Sequence, residues 1–227
     1  MSQKNKVIVV FAPHPDDETF GCGGTIAKKI SEGFNVLVVV MTDGRNLLKS
    51  ILNIEDDPPP NDVKDIRRKE VLKATKILGI PHDNVIFFDF EDGCLSDYEA
   101  EAEEKVCEIL SRYRPVEVYL PFENDGHRDH IVTNRIVKKC VKELNLEPEM
   151  YQYCIMHKFA RFGPIFERII GLFRKNIVKV DVSQFLKIKE LAVKEFKSEF
   201  SIISSKQSKP LEDKIDKYLK KNEFFFR

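Results

Sequence analysis

Four side chains that can bind a cation or move a proton, His14, Asp16, Asp17 and Glu18, crowd directly behind an apolar run at residues 7–11. An imidazole and three carboxylates at that density repel one another if left alone, and a bound cation is the simplest remedy. A second polar cluster, residues 123–130, holds His127, Asp129 and His130. Two imidazoles and one carboxylate, with a position left open to water, make a catalytic rather than a structural zinc site. Neighbouring residues point in different directions, so Asp16 and Asp17 do not easily serve one role. If Asp17 ligates, Asp16 is left to sit over the water. His127 and His130 are three apart and could share a face at a helix start, one toward metal and one toward substrate. Each motif alone has a plainer reading, the first as a strand-end turn with an N-cap and the second as a surface pair or helix start. Their convergence is what favours a metal.

Convergence follows from the elements that carry them. Residues 7–11 and 35–41 are continuous, largely β-branched apolar runs, the pattern of strands buried on both faces. Shorter strand patterns occupy 85–88, 116–120, 150–156 and 177–180. Helical patterns lie between them at 25–31, 62–78, 96–113, 131–144 and 185–200, with Gly33 and Gly79 as stops and Pro115 as a break. Residues 54–61, with three consecutive prolines, read as a loop or lid. Alternating strands and helices imply right-handed βαβ units on a parallel sheet, whose ligands sit beyond the carboxyl ends of the strands. The clusters 14–18, 42–44, 89–93 and 123–130 each follow a strand, so all four fall on one edge.

Composition narrows the class. The chain has 227 residues, a formal charge of zero and 33% charged residues, which argues against a nucleic-acid binder relying on a basic field. No run is long enough for a transmembrane helix, and residues 1–6 lack a signal-peptide pattern. The cysteines Cys22, Cys94, Cys107, Cys140 and Cys154 are scattered and odd in number, and read as reduced small hydrophobes. Together these features lead us to expect a cytoplasmic chain.

The segment Ala12-Pro-His-Pro-Asp-Asp-Glu18 with Gly21-x-Gly-Gly24 resembles the opening of the PIG-L/LmbE-like family of zinc-dependent N-acetyl-sugar deacetylases. His127-x-Asp-His130 resembles that family's second signature. Arg67-x-x-Glu70, Asp92-Gly-x-Leu95, Lys189 and Lys197-Ser198 extend the likeness, although Glu199 stands where a glutamine is common. The resemblance implies an α/β, Rossmann-like three-layer fold with a mostly parallel sheet, as one domain over residues 1–227 with 201–227 as a peripheral helix or tail. It implies His14, Asp17 and His130 as ligands of one Zn2+, with Fe2+ an alternative in the cell. It also implies Asp16 as general base, and His127, oriented by Asp129, as the group that stabilises charge or donates a proton. The implied reaction is removal of the N-acetyl group from an N-acetylglucosamine-type sugar or glycoconjugate by attack of zinc-bound water. No nucleic acid or membrane span is expected, and the Phe-rich tail is compatible with a homo-oligomer.

One departure concerns the oxyanion. Several relatives have a tyrosine or arginine just before the first histidine of the second signature, whereas this chain has Asn124-Asp125-Gly126. Asn124, a backbone N–H, Arg128 or Arg161 are the substitutes available. Arg67, Asp92 and Asp43 would suit substrate hydroxyls or a charged aglycone. Their plainer alternatives are a helix salt bridge for Arg67 and turns for the two aspartates. Glu18 reads as a carboxylate behind the ligands or at a helix start. The segment 159–173 reads as core or subunit interface, or as the lining of an apolar aglycone pocket. A rival reading, a dinucleotide site built on Gly21-x-Gly23 and Asp43, fails because Ile26 replaces the third glycine and three acids would face the pyrophosphate. A second rival keeps the metal and acts on another small N-acyl substrate.

Overall fold

A computed structural model describes residues 6–155 and 176–227. The first half runs β1 (Val7–Ala12), α1 (Asp17–Ser31), β2 (Asn35–Thr42), α2 (Leu47–Leu52), α3 (Pro60–Leu78) and β3 (Val85–Phe90). Next come α4 (Glu99–Tyr113), β4 (Glu117–Pro121), α5 (Arg128–Glu143) and β5 (Glu149–Tyr153). After residue 176 follow β6 (Ile177–Asp181), α6 (Leu186–Val193), α7 (Lys197–Phe200) and β7 (Asn222–Phe226).

The strands form one sheet of order β3-β2-β1-β4-β5-β7-β6. Pairing is parallel from β3 through β5, and β7 runs antiparallel to both of its neighbours. Along β1, Ile8, Val10 and Ala12 enter one core with Ile26, Ala27, Val71, Ala74 and Ala192. Val9 and Phe11 enter the other with Val106, Leu110, Val132 and Ile136. So α1, α3 and α6 cover one face and α4 and α5 the other, in three layers. A strand buried on both faces needs an apolar side chain at every position, which explains the unbroken run.

Strand order reverses between β1 and β4, which are paired in parallel with Val9 opposite Val118. The chain leaves β1 toward β2 and leaves β4 toward β5, so the loops diverge and open a crevice at the carboxyl ends. Residues 13–18 and 122–130 form its two sides.

Several elements depart from the sequence expectations. Helix α2 is six residues long, too short to show a helical period. Helix α3 starts at Pro60 rather than Asp62, since proline fits the first turn where no amide partner is needed, and it ends on Gly79 at φ 95° as expected. The loop before α3 is fastened to the C-terminal region, because Asp57 Oδ2 accepts from Ser204 Oγ at 3.0 Å and from the Ser205 amide at 2.8 Å. The helix expected over 185–200 is split into α6 and α7 around Phe196, which is buried against Phe20.

The expectation of a peripheral helix or tail over 201–227 is corrected at its end. Residues 222–226 are β7, an internal strand of the sheet. Glu223 and Phe225 point to the α1 face, and Phe226 stacks on Phe122 at 4.5 Å from the other. The reading of all cysteines as reduced is also corrected. Cys107 on α4 and Cys140 on α5 form a disulfide with their Cα atoms 5.2 Å apart, within the range that a bridge spans, whereas Cys22, Cys94 and Cys154 are free. Arg161 and residues 159–173 lie outside the described residues, as does the last residue of the strand expected at 150–156. No helix among the described residues is long and apolar enough to cross a membrane.

Candidate active site

The loop after β1 is anchored before it reaches its first functional residue. Pro13 O accepts from the Thr42 amide at 2.9 Å and from Thr42 Oγ1 at 2.8 Å, which ties the loop to the end of β2. Asp16 then has φ 135° and ψ −28°, a conformation costly for a residue with a Cβ. Its amide donates to Glu18 Oε2 at 3.2 Å, and its carbonyl accepts from the Thr19 and Phe20 amides. Glu18 is fully buried, takes the Thr19 hydroxyl at 2.6 Å, and has its carboxyl pushed up to about 7 by burial.

Three donor atoms form a near-equilateral triangle. Asp17 Oδ2 lies 3.2 Å from His14 Nδ1 and 3.2 Å from His130 Nε2, and the two nitrogens are 3.2 Å apart. Tetrahedral zinc with bonds near 2.0–2.2 Å spaces its donors by about 3.3 Å. The fit supports a small divalent ion on this face. Two broader groupings, His14–His127–His130 and His14–Asp92–Asp129, also hold donor atoms within 4.8 Å of one another. The second uses His14 Nε2, which faces Asp129 Oδ2 at 3.1 Å and Asp92 Oδ1 at 3.3 Å. An imidazole that offers Nδ1 to a metal directs its Nε2–H to a carboxylate, so this grouping backs the triangle and does not compete with it. His130 repeats the pattern, with Nδ1 3.2 Å from Asp125 Oδ2.

The titration directions follow the density of acids around the two rings. Burial alone would lower the His14 imidazole, but Asp129, Asp17 and Asp92 carry it well above its usual range. Burial likewise opposes the rise at His130 that Asp17 and Asp125 produce. Asp17 is held well below the carboxylate range against its burial by His130 and His14, and Asp92 is lowered to about 2 by His14 and Arg67. Asp16 goes the other way. Burial raises its carboxyl strongly, Arg67 resists, and Asp17 and Glu199 add to the rise.

The remaining sequence candidates are distributed unevenly. Arg67 from α3 is buried, bonds Pro15 O, and sets Nη2 2.6 Å from Asp16 Oδ2. Asp92 is on the crevice wall, where it also takes the Asn46 amide at 3.2 Å. Asp43 is buried and engaged by Arg45 Nε at 2.7 Å, with Lys64 at 3.7 Å. The carboxylate of Asp129 lies against His14 Nε2 and accepts the Gly93 and Leu95 amides at 2.8 and 3.2 Å. His127 caps α5, its Nδ1 accepting from the Asp129 amide at 3.3 Å, with its ring edge-on to His14 at 4.4 Å.

Two residues escaped the sequence reading. The signal for Asp125 is its place five residues before His130 in a strand-end loop, from which it curls back onto that ring. Glu199 is signalled by its departure from the glutamine common in the family. It is buried, 3.6 Å from Arg67 Nη2 and hydrogen-bonded to Asp16.

The chain is similar to known proteins. Mycothiol S-conjugate amidase of Streptomyces coelicolor is 36% identical over 154 residues, covering 60% of this chain and 51% of that protein. Diacetylchitobiose deacetylase of Thermococcus kodakarensis is 26% identical, covering 86% of this chain and 70% of the relative. The chain thus spans about half the length of the first relative and more of the second. A solved conserved protein from Thermus thermophilus superposes with a TM-score of 0.61 at 30% identity, over 85% of this chain and 79% of that one. The family described as PIG-L, GlcNAc-PI de-N-acetylase, matches residues 9–141, more than half of the chain, from within β1 to within α5, so this chain belongs to the PIG-L family.

Proposed function

We propose that the chain is a metal-dependent hydrolase that removes the N-acetyl group from an N-acetylglucosamine-type sugar or glycoconjugate, with zinc as its ion. The observation that carries this reading is the triangle of His14, Asp17 and His130 donors with the buried Asp16 carboxyl beside it. The names of the relatives, an S-conjugate amidase and a diacetylchitobiose deacetylase, support the substrate class.

An ion on those three donors would supply Lewis acidity, lowering the pKa of a water to about 7 and polarising the amide carbonyl. Asp16 suits the proton traffic, since its environment favours proton uptake. It takes a proton from the attacking water and returns it to the amide nitrogen as the C–N bond breaks, giving acetate and the sugar amine. Arg67 fixes that carboxyl. Because His127 Nδ1 accepts an amide proton, the neutral ring carries its own proton on Nε2. That N–H is what His127 offers to the amide oxygen as charge develops, a contribution of about 3 kcal/mol for a good donor.

The test pairs two substitutions with metal analysis and amine release from N-acetyl sugars. Asp16→Ala keeps about one equivalent of metal and loses turnover by roughly 10²–10⁴-fold. His130→Ala loses the metal itself. An Asp16→Ala chain with full activity would sink the assignment of the base. The second reading, an amidase on another small N-acyl substrate, is favoured by the likeness to the mycothiol amidase. Amine release from such amides, with none from N-acetyl sugars, would select it.

A further inference from the structure

Helix α1 is not continuous. Cys22 has φ −142° and ψ 19°, outside helical geometry, so the turn Asp17–Gly21 is separated from the body of the helix. Its other end is Asp16, at φ 135°. The turn that carries Asp17 is therefore bounded on both sides by non-helical backbone, and side chains must set its orientation.

On the far side of the break, one buried ion pair does this. Lys189 from α6 and Glu223 from β7 are 2.6 Å apart and almost entirely buried. In an unbroken helix the Gly24 amide would face the Phe20 carbonyl. Here Lys189 Nζ donates to Phe20 O at 3.0 Å, while Glu223 Oε1 accepts from the Gly24 amide at 2.9 Å and Oε2 from the Thr25 amide at 2.8 Å. The two ends of the pair thus cap the two sides of the break. Gly24 admits Glu223, since a Cβ there would lie 3.0 Å from Glu223 Oε1 and 2.8 Å from Val182.

We propose that Lys189 and Glu223 are positioning residues for the metal site, holding the Asp17 turn at the angle that brings its carboxylate against His14 and His130. The pair touches none of the three donors and acts only through the backbone of α1. This inference rests on the metal reading given above. A buried ion pair is a poor source of net stability, because desolvation offsets most of its attraction, so a role in fixing geometry explains its retention better than a stabilising one.

The test uses the full chain, with Co2+ as a spectroscopic probe and Zn2+ affinity measured by competition with a chromophoric chelator. Glu223→Gln breaks the pairing of charge on one side of the break. It should weaken Zn2+ binding by about 10–100-fold and change the visible absorption of bound Co2+. Val106→Ala, in the core on the opposite face of the sheet, lowers stability without touching α1 and should leave both readouts as in the parent. If Glu223→Gln does not fold, Lys189→Arg keeps the charge with a different reach and should still alter the Co2+ spectrum. Parent-like affinity and spectrum in the variant, or equal weakening in Val106→Ala, overturns the inference alone. A parent chain that binds no metal overturns the metal reading with it.

Discussion

Carboxylates outnumber imidazoles in the crevice, and their labour divides by which ring nitrogen each one reaches. Asp17 shares the inner face with His14 Nδ1 and His130 Nε2, while Asp129 and Asp92 sit behind His14 and Asp125 sits behind His130. Each imidazole of the triangle therefore has one nitrogen toward the proposed metal position and the other against an acid, an arrangement that fixes a ligand's tautomer and raises its basicity. Asp125 also takes the His127 amide at 3.0 Å, so one side chain shapes both ends of the second signature. Replacing Asp125 by asparagine should weaken metal affinity by about 10–100-fold while leaving the fold unchanged, as chelator competition beside circular dichroism would report. Undiminished affinity would mean that His130 is oriented by other groups. The residue types of this site were legible in the chain, because acids and histidines at the end of a buried strand have few uses. The partners were not. His14 and Asp129 are 115 positions apart, and which carboxylate meets which nitrogen depends on loop curvature that residue spacing does not encode.

At the scale of elements, the strands that matter for the site were readable because burial on both faces writes itself as a continuous apolar run. The helices were readable from their stops, Gly79 at the end of α3 being the clearest. What spacing could not show was contact between elements distant in sequence. Helices α4 and α5 pack side by side over the sheet face that holds Val9 and Phe11, and Cys107 and Cys140 meet there across a separation of 33 residues. These two helices carry no reacting group in their middle, yet α5 begins with Asp129 and His130, and the turn before α4 supplies Asp92. The bridge closes a loop long enough that loop-closure entropy places its contribution at ~3–4 kcal/mol. A Cys107→Ser/Cys140→Ser chain, or the parent under reductant, should be less stable by that amount in a denaturant melt, with metal affinity in the folded chain nearly unchanged. Equal midpoints for the oxidised and reduced chains would show that packing between α4 and α5 already supplies the constraint.

For the whole molecule, the decisive feature is where the C-terminal residues go. A terminal Glu-Phe-Phe-Phe preceded by a basic, polar stretch reads as an appendage, since five residues with one charge carry too little period to identify an internal strand. Yet β7 lies between β5 and β6, and without it β6 would have no neighbour among the described strands. Phe225 is fully buried against Tyr119 and Tyr151, and Phe226 covers Phe122 beside the loop that leads to Asp125 and His127. Glu223 reaches across to the break in α1. The last strand thus completes the core and touches both halves of the crevice through intermediates. Phe225→Ala should cost about 3–5 kcal/mol, the usual range for emptying an aromatic site in a packed core. Truncation after residue 221 removes that side chain together with the whole ladder to β6 and the shorter pairing of Phe225 and Phe226 with β5, a loss that should exceed the whole stability of a typical domain. The measurement is a denaturant melt of the parent, the Phe225→Ala chain and the truncated chain, followed by limited proteolysis. A truncated chain that melts with the parent would return residues 201–227 to the status of a peripheral tail, and would leave the capping of α1 by Glu223 without structural consequence.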